Sequence, residues 1–129
     1  MTTYHKDGLL PDPDMIFVFG SNLAGVHGAG AARAALDHFD AELGVGEGRT
    51  GRAYAIPTKV NSVKARELYQ IEASVETFLA HAAACYRDRF FVTRIGCGLA
   101  GFKDEEIAPM FEGAPDNCSF PAEWRPWLD

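Results

Sequence analysis

"FVTRIGCGLAGFKDEE", residues 91–106, joins a β-type run to three glycines within six positions, Gly96, Gly98 and Gly101, and then to the acids Asp104, Glu105 and Glu106. The acids suit the positive end of a helix dipole, so the stretch reads as strand, bare turn, helix. A turn with almost no side chains presents its backbone. Glycine lets N–H groups approach a ligand closely, and a helix N-terminus adds partial positive charge.

The arrangement occurs twice. "IFVFGSNLAGVHGAGAARAAL", residues 16–36, passes from an apolar run through Gly20, Ser21, Asn22, His27, Gly28, Ala29 and Gly30 into an alanine-rich helix. Two such loops at one sheet edge predict an anion site able to hold a diphosphate and its attached sugar. The alternative is that the glycines only make tight strand–helix turns. Four familiar patterns are approached and missed. Gly28-x-Gly30-x-x-Arg33 has arginine where a dinucleotide fingerprint needs a small residue, and Gly101-Phe102-Lys103 lacks the Gly-Lys-Ser/Thr of a P-loop. Cys97 to Lys103 has phosphatase spacing with lysine in place of the bidentate arginine. Ile95 and Leu99 occupy the glycine positions of a nucleophile elbow around Cys97.

Around these loops the pattern alternates strand and helix. "MIFVFG" (15–20) and "AYAIPT" (53–58) are continuous apolar runs, as in strands buried on both faces, and "RFFVTRI" (89–95) is a third. A helix is expected from Gly30 to about Leu43. Leu68, Ile71, Val75, Phe78, Leu79, Ala82 and Tyr86 recur at helical spacing, which predicts a helix over Glu67 to Tyr86. Asp104 to Phe111 reads as a short helix and "NCSF" (117–120) as a short strand. "LGVGEGRTGR" (43–52) reads as a mobile loop whose Arg49 and Arg52 are solvated loop charges, with closure over phosphates as the alternative. Residues 1–14 read as an extended N-terminal arm, and residues 121–129 as a tail pinned by Trp124 and Trp127. The fold class is α/β, a mostly parallel central sheet with helices on both faces, in one domain over 1–129. Ligands in such sheets sit beyond the carboxyl ends of the strands, where both glycine loops emerge.

Composition limits the partners. The 129 residues are 47% hydrophobic and 23% charged, with a net charge of −6 and twelve basic residues scattered along the chain. A duplex nucleic-acid groove is therefore not the expected partner. Cys85, Cys97 and Cys118 have no metal or CxxC spacing, and no run approaches the roughly 20 apolar residues of a membrane span. No metal or cofactor is expected, and the location is read as cytoplasmic. His5, His38 and His81 read as surface or satisfied helix residues, and Cys97 as a space-filler between glycines. Phe102 either stacks on a ring or anchors the core.

"RIGCGLAGF", "YAIPTK" and "GSNLAGVHGAGAA" together resemble a macrodomain, the ADP-ribose-binding α/β module of three layers. The resemblance spans about residues 15–120. It comes nearest the terminal ADP-ribose protein glycohydrolase type, and small phage and bacterial macro-like proteins also look similar. It implies that Asn22 and Gly28, Ala29 and Gly30 surround the distal ribose. Gly96, Cys97, Gly98, Leu99, Ala100, Gly101 and Phe102 would wrap the diphosphate. The partner implied is ADP-ribose or an ADP-ribosylated macromolecule, with no cofactor. Lys59 stands where the glycohydrolase type has a catalytic lysine, and Ala100 replaces the aspartate expected after Gly-Cys-Gly-Leu. His27 is the other titratable group of the first loop, with turn packing as its alternative role. Binding is expected ahead of turnover, since the lysine lacks its acid. Phosphatase or hydrolase action on a small ADP-ribose derivative, and a non-catalytic sensor or interaction module, are the alternatives.

Overall fold

The structure, a computed structural model, describes residues 2–129. Strand β2 (Ile16–Asn22) shows why the chain folds in layers. Ile16 and Val18 pack into one hydrophobic cluster, while Phe17 and Phe19 pack into another. Strands β4 (Ala53–Lys59) and β5 (Phe90–Val92) alternate in the same way, Tyr54, Ile56, Phe90 and Val92 on one face and Ala53, Ala55 and Phe91 on the other. A strand with two greasy faces needs cover on both. Helix α1 (Gly30–His38) supplies one layer through Ala32 and Ala35. The other layer is helix α2 (Leu68–Ala84) with Ile71, Val75, Phe78 and Ala82, joined by Ile107 and Phe111. The latter two belong to helix α3 (Asp104–Ile107) and the 3-10 turn Ala108–Phe111 that continues it.

The sheet has six strands in the order β1-β6-β5-β2-β4-β3. Strands β1 (Thr3–His5), β6 (Cys118–Pro121), β5, β2 and β4 run parallel, and only β3 (Gly48–Thr50) is antiparallel.

Several expectations are corrected. The N-terminal arm contributes an edge strand, β1, registered Thr3 to Ser119. Helix α1 stops at His38, five residues before Leu43, because Asp40 takes a left-handed φ of 60° and turns the chain back. Leu43 is left exposed. Part of the segment read as a mobile loop is strand β3, and the C-terminal tail closes with a 3-10 turn (Ala122–Trp124) and helix α4 (Arg125–Leu128). Trp124 is fully buried, but Trp127 is 37% exposed and does not anchor the tail.

Two histidines are half-buried against aromatic rings. His5 stacks on Phe91 with ring centroids 3.6 Å apart, and its Nδ1 lies 2.7 Å from the Ser119 hydroxyl. Burial pushes its pKa down to about 4. His81 packs against Tyr54 and Phe90, and burial lowers its pKa too. Between pH 6.5 and about 4 the unfolded chain takes up a proton at His5 that the folded chain refuses. Stability is therefore complete above pH 6.5 and falls as pH drops through that window. Screening by nearby solvent holds the His5 share to on the order of 1–2 kcal/mol. Urea unfolding at pH 7 and pH 5 is expected to show this loss, and His5→Gln to remove much of it.

Candidate functional site

Three neighbouring strands, β5, β2 and β4, end at one edge of the sheet, and their loops face each other there. The β2–β4 pairing slips between Ser21 and Asn22, so Asn22 pairs with Lys59 and skips Thr58. A Cβ added to Gly20 would sit 3.5 Å from the Gly96 nitrogen, which measures how closely the two glycine loops abut. Between them lies a cleft of about 720 Å³. Its walls include Gly20, Ser21, Asn22, Gly28, Ala29 and Gly30 from the first loop. Lys59 borders it from β4, and Gly96, Cys97, Gly98, Leu99 and Ala100 from the second loop.

The backbone of both loops is short of acceptors. In the second, Cys97 N–H donates to Arg94 O at 3.1 Å, Gly101 N–H to Gly98 O at 3.0 Å and Phe102 N–H to Gly96 O at 2.8 Å. Gly96 and Gly101 adopt φ of 77° and 81° to make this turn. The N–H groups of Gly98, Leu99 and Ala100 are left without an acceptor among the described residues. On the opposite wall α1 begins with no side-chain cap and no acid in its first turn. Its first backbone bond runs from Arg33 N–H to Ala29 O, so the N–H groups of Gly30, Ala31 and Ala32 are also unpaired. Unpaired amides on both walls, with the dipole of α1 behind one of them, are groups whose chemistry suits an anion.

The first loop is held from within and from behind. The Asn22 amide both donates to Val26 O and accepts from Val26 N–H, each at 3.1 Å. It is thus a clamp on its own loop, and a second N–H and a second carbonyl lone pair remain beyond those two bonds. The Ser21 hydroxyl donates to Gly46 O, and Gly44 N–H donates to Gly25 O at 2.9 Å. A side chain at Gly25 would overlap Gly44, and one at Gly46 would overlap Asn22. Residues 43–47 are therefore a brace behind the loop. Asn22→Ala is expected to cost about 1–2 kcal/mol of stability. It should also expose the Val26 amide to fast hydrogen exchange, and protection that persists there would remove the clamp.

Charged groups complete the cleft. Arg94 and Asp7 both line it, with Arg94 Nη1 3.6 Å from Asp7 Oδ2. The same guanidinium grips Asp104 with two bonds of 3.0 and 2.7 Å, and Trp124 Nε1 donates to Asp104 at 2.8 Å. Asp104 is more than a helix-start acid. Burial works against its ionisation, yet Arg94 and Trp124 hold its carboxyl below the usual range. Burial pushes the Cys97 thiol up to about 12, so Cys97 is a neutral wall group and not a nucleophile at neutral pH. Lys59 Nζ donates to Ser62 O at 2.8 Å, and no carboxylate among the described residues pairs with it.

Three of the residues expected at the site lie outside the cleft walls. His27 is 1% exposed, packed edge-on to Phe19, and its Nε2–H donates to Glu42 O at 3.1 Å. Gly101 closes the turn, and Phe102 packs against the core beneath Gly96. Arg49 and Arg52 are not free to close over phosphates. Arg49 pairs with Asp88, and Arg52 binds Asp40 and the carbonyls of Pro13 and His38. Sequence reasoning missed Asp7, Gly8, Leu9 and Leu10, which follow β1 and form a further wall, and Arg94. The signal was present in the apolar pair Leu9-Leu10 beside an Asp-Gly turn, but nothing local ties it to a sheet edge.

No family model and no curated protein matches the chain. Among solved structures it is similar to the macrodomain of Mycobacterium tuberculosis DarG, with a TM-score of 0.68 and 20% identity over 94% of this chain and 97% of that one. It is also similar to Thermosipho africanus DarTG in complex with ADP-ribose, with a TM-score of 0.59 and 18% identity over 85% of this chain and 39% of that chain. The chain is a three-layer α/β domain with the macrodomain fold. Within that fold it resembles these two bacterial proteins.

Proposed function

We propose that the chain binds ADP-ribose, or an ADP-ribosyl group on a macromolecule, in this cleft, and that binding rather than turnover is its function. The observation that carries the reading is the set of unpaired N–H groups on both walls, Gly98 to Ala100 and Gly30 to Ala32. A diphosphate offers several acceptor oxygens and two charges to such groups. Leu9 and Leu10 supply an apolar wall suited to a base, and Lys59 and Ser62 supply polar groups suited to a ribose. The Thermosipho africanus neighbour, solved in complex with ADP-ribose, supports the same ligand here.

Turnover is disfavoured by what surrounds Lys59. An amine that attacks an anomeric carbon needs an acid to protonate the leaving group, and Ala100 offers none. The three cysteines are all free, which fits a reducing, cytoplasmic location. No helix among the described residues is long and apolar enough to cross a membrane.

Calorimetric titration with ADP-ribose, AMP, ADP and NAD tests the proposal. ADP-ribose is expected to bind tightest, and Lys59→Ala to keep that affinity within about tenfold, since a solvated lysine contributes little. Equal, weak binding of all four ligands would reduce the cleft to a generic phosphate site. Hydrolysis of an ADP-ribosyl ester by the wild type that disappears in Lys59→Ala would overturn the binding-only reading.

A further inference from the structure

Three uncharged loops meet beside the cleft. Leu23-Ala24-Gly25-Val26, Leu43-Gly44-Val45-Gly46 and Val60-Asn61-Ser62-Val63 hold no charged side chain, in a chain that is 23% charged. Backbone bonds set them side by side with the first loop in the middle. Leu23 N–H donates to Lys59 O at 3.0 Å on one flank, and Gly44 N–H to Gly25 O at 2.9 Å on the other. Leu23, Leu43, Val60 and Val63 are 47%, 65%, 37% and 88% exposed, and none of them is a cleft wall. Together they leave about 400 Å² of mostly aliphatic surface open, the size at which a patch marks a contact site. Val26 joins this face to the cleft.

The face is ordered before any partner arrives. Lys59 bridges to Ala65, and Val60 N–H donates to Lys64 O at 2.7 Å. Asn61 Oδ1 accepts from Val63 and Lys64 N–H at 2.9 Å each. The hairpin tip that carries Val63 is therefore fixed, which lowers the ordering cost of a contact.

Charge gathers at the two ends of the face. Glu42 and Glu47 flank the 43–46 loop and are exposed, and the next base, Arg49, pairs with Asp88. The hairpin end carries Lys59, Lys64 and Arg66 against one acid, Glu67. None of these six flanking groups, Arg49 aside, is in an ion pair among the described residues. Lys59 donates to Ser62 O, and Arg66 to Pro57 O and the Ser74 hydroxyl, all neutral oxygens that leave the positive charge uncompensated. One end is acidic, the other basic, and the centre is aliphatic. An acidic partner matches one end and a basic partner the other. A copy of the same face turned by a two-fold axis matches both.

We propose that two copies of this chain pair through this face about a two-fold axis. Leu23, Leu43, Val60 and Val63 form the centre, and Glu42 of each copy meets Lys64 of the other. A standard interface buries about 800 Å² per partner, and an aliphatic centre of about half that within a charged rim has its proportions. The net charge of −6 on each copy opposes approach, but charges more than about 8 Å apart are screened at physiological salt, while the paired ends are in contact. The second copy stands at the β4 end of the cleft, beside Lys59 and Ser62, and leaves the Leu9–Leu10 end open. The contact does not depend on what the cleft holds.

Sedimentation velocity between about 5 and 500 µM, the range in which a contact of this size is weak but measurable, tests the pairing. The wild type is expected to pass from monomer to dimer across it. Val63→Glu and Leu43→Glu each bring two carboxylates into the contact, one per copy, and are each expected to weaken dimerisation at least tenfold. Both side chains are exposed in the monomer, and circular dichroism checks that the variants are folded. Lys64→Glu and Glu42→Lys shift the net charge by two in opposite directions, from −6 to −8 and to −4. Each alone is expected to weaken dimerisation at least about fivefold, and the double variant, again at −6, to return to within about twofold of wild type. Association that instead follows net charge, stronger in Glu42→Lys and weaker in Lys64→Glu, would overturn the proposal. So would a wild type that stays monomeric throughout, dimerisation unchanged in folded Val63→Glu, or growth beyond the dimer.

Discussion

Gly98→Glu is expected to abolish ADP-ribose binding while leaving the fold intact. The second loop has three glycines, and they are not equivalent. Gly96 and Gly101 sit at positive φ, and a Cβ at Gly96 would press on Ile107 and Phe102 at 3.4 Å. Gly98 has no such constraint, and an added Cβ meets nothing within 4 Å. A side chain there is free of strain and stands at the cleft wall beside the unpaired amides. The glutamate carboxylate competes for those amides and repels a diphosphate. Two like charges about 5 Å apart at an effective dielectric near 20 oppose each other by about 3 kcal/mol, a loss of about 100-fold or more. Calorimetry gives the affinity, and circular dichroism with urea unfolding shows that the variant is folded. A folded variant with unchanged affinity would remove the second loop from the site.

Trp124→Ala is expected to produce the largest loss of stability. Trp124 is fully buried, 5.2 Å from the Phe111 ring and 6.2 Å from the Phe120 ring. Truncating a buried aromatic costs about 3–5 kcal/mol in transfer and cavity terms. The variant also takes a donor from Asp104, whose other partner is Arg94 on the cleft wall. Against a total stability of about 5–15 kcal/mol, such a loss puts the variant near the edge of folding. Trp124→Phe narrows the effects, keeping one aromatic ring in place while losing the N–H and the remainder of the indole. It is expected to cost about 1–3 kcal/mol, the worth of a hydrogen bond to a charged acceptor. Urea midpoints for both variants decide the matter, and an alanine variant within about 1 kcal/mol of wild type would contradict the packing account.

The layered fold was legible in the sequence because it is written in local periodicity. "IFVF", "YAI" and "FFV" are apolar at every position, which only a strand covered on both faces tolerates, and the three- and four-residue spacing from Leu68 to Ala82 marks its cover. The two glycine loops were legible for the same reason, since glycine next to a buried strand is a local sign of exposed backbone. Those features rest on residues close together in the chain. The brace behind the first loop does not. Residues 43–47 are glycine-rich, and only contact with Gly25, Ser21 and Asn22 converts that freedom into a fixed support. Arg49 and Arg52 read as free cations because Asp88 and Asp40 are brought to them by the fold. Asp104 read as a cap because Trp124, twenty positions away, reaches it only through the packing of the tail. His27 read as a site residue by its place in the loop, and the side chain turns inward onto Phe19. What the sequence determined by itself was the sheet, its helical cover and the bare backbone at one edge. Which side chains stand at that edge, which charges are neutralised and which are left free are long-range pairings. Only the tertiary structure decided them, because a charge or a hydrogen-bond donor is satisfied by its neighbours in space and not along the chain.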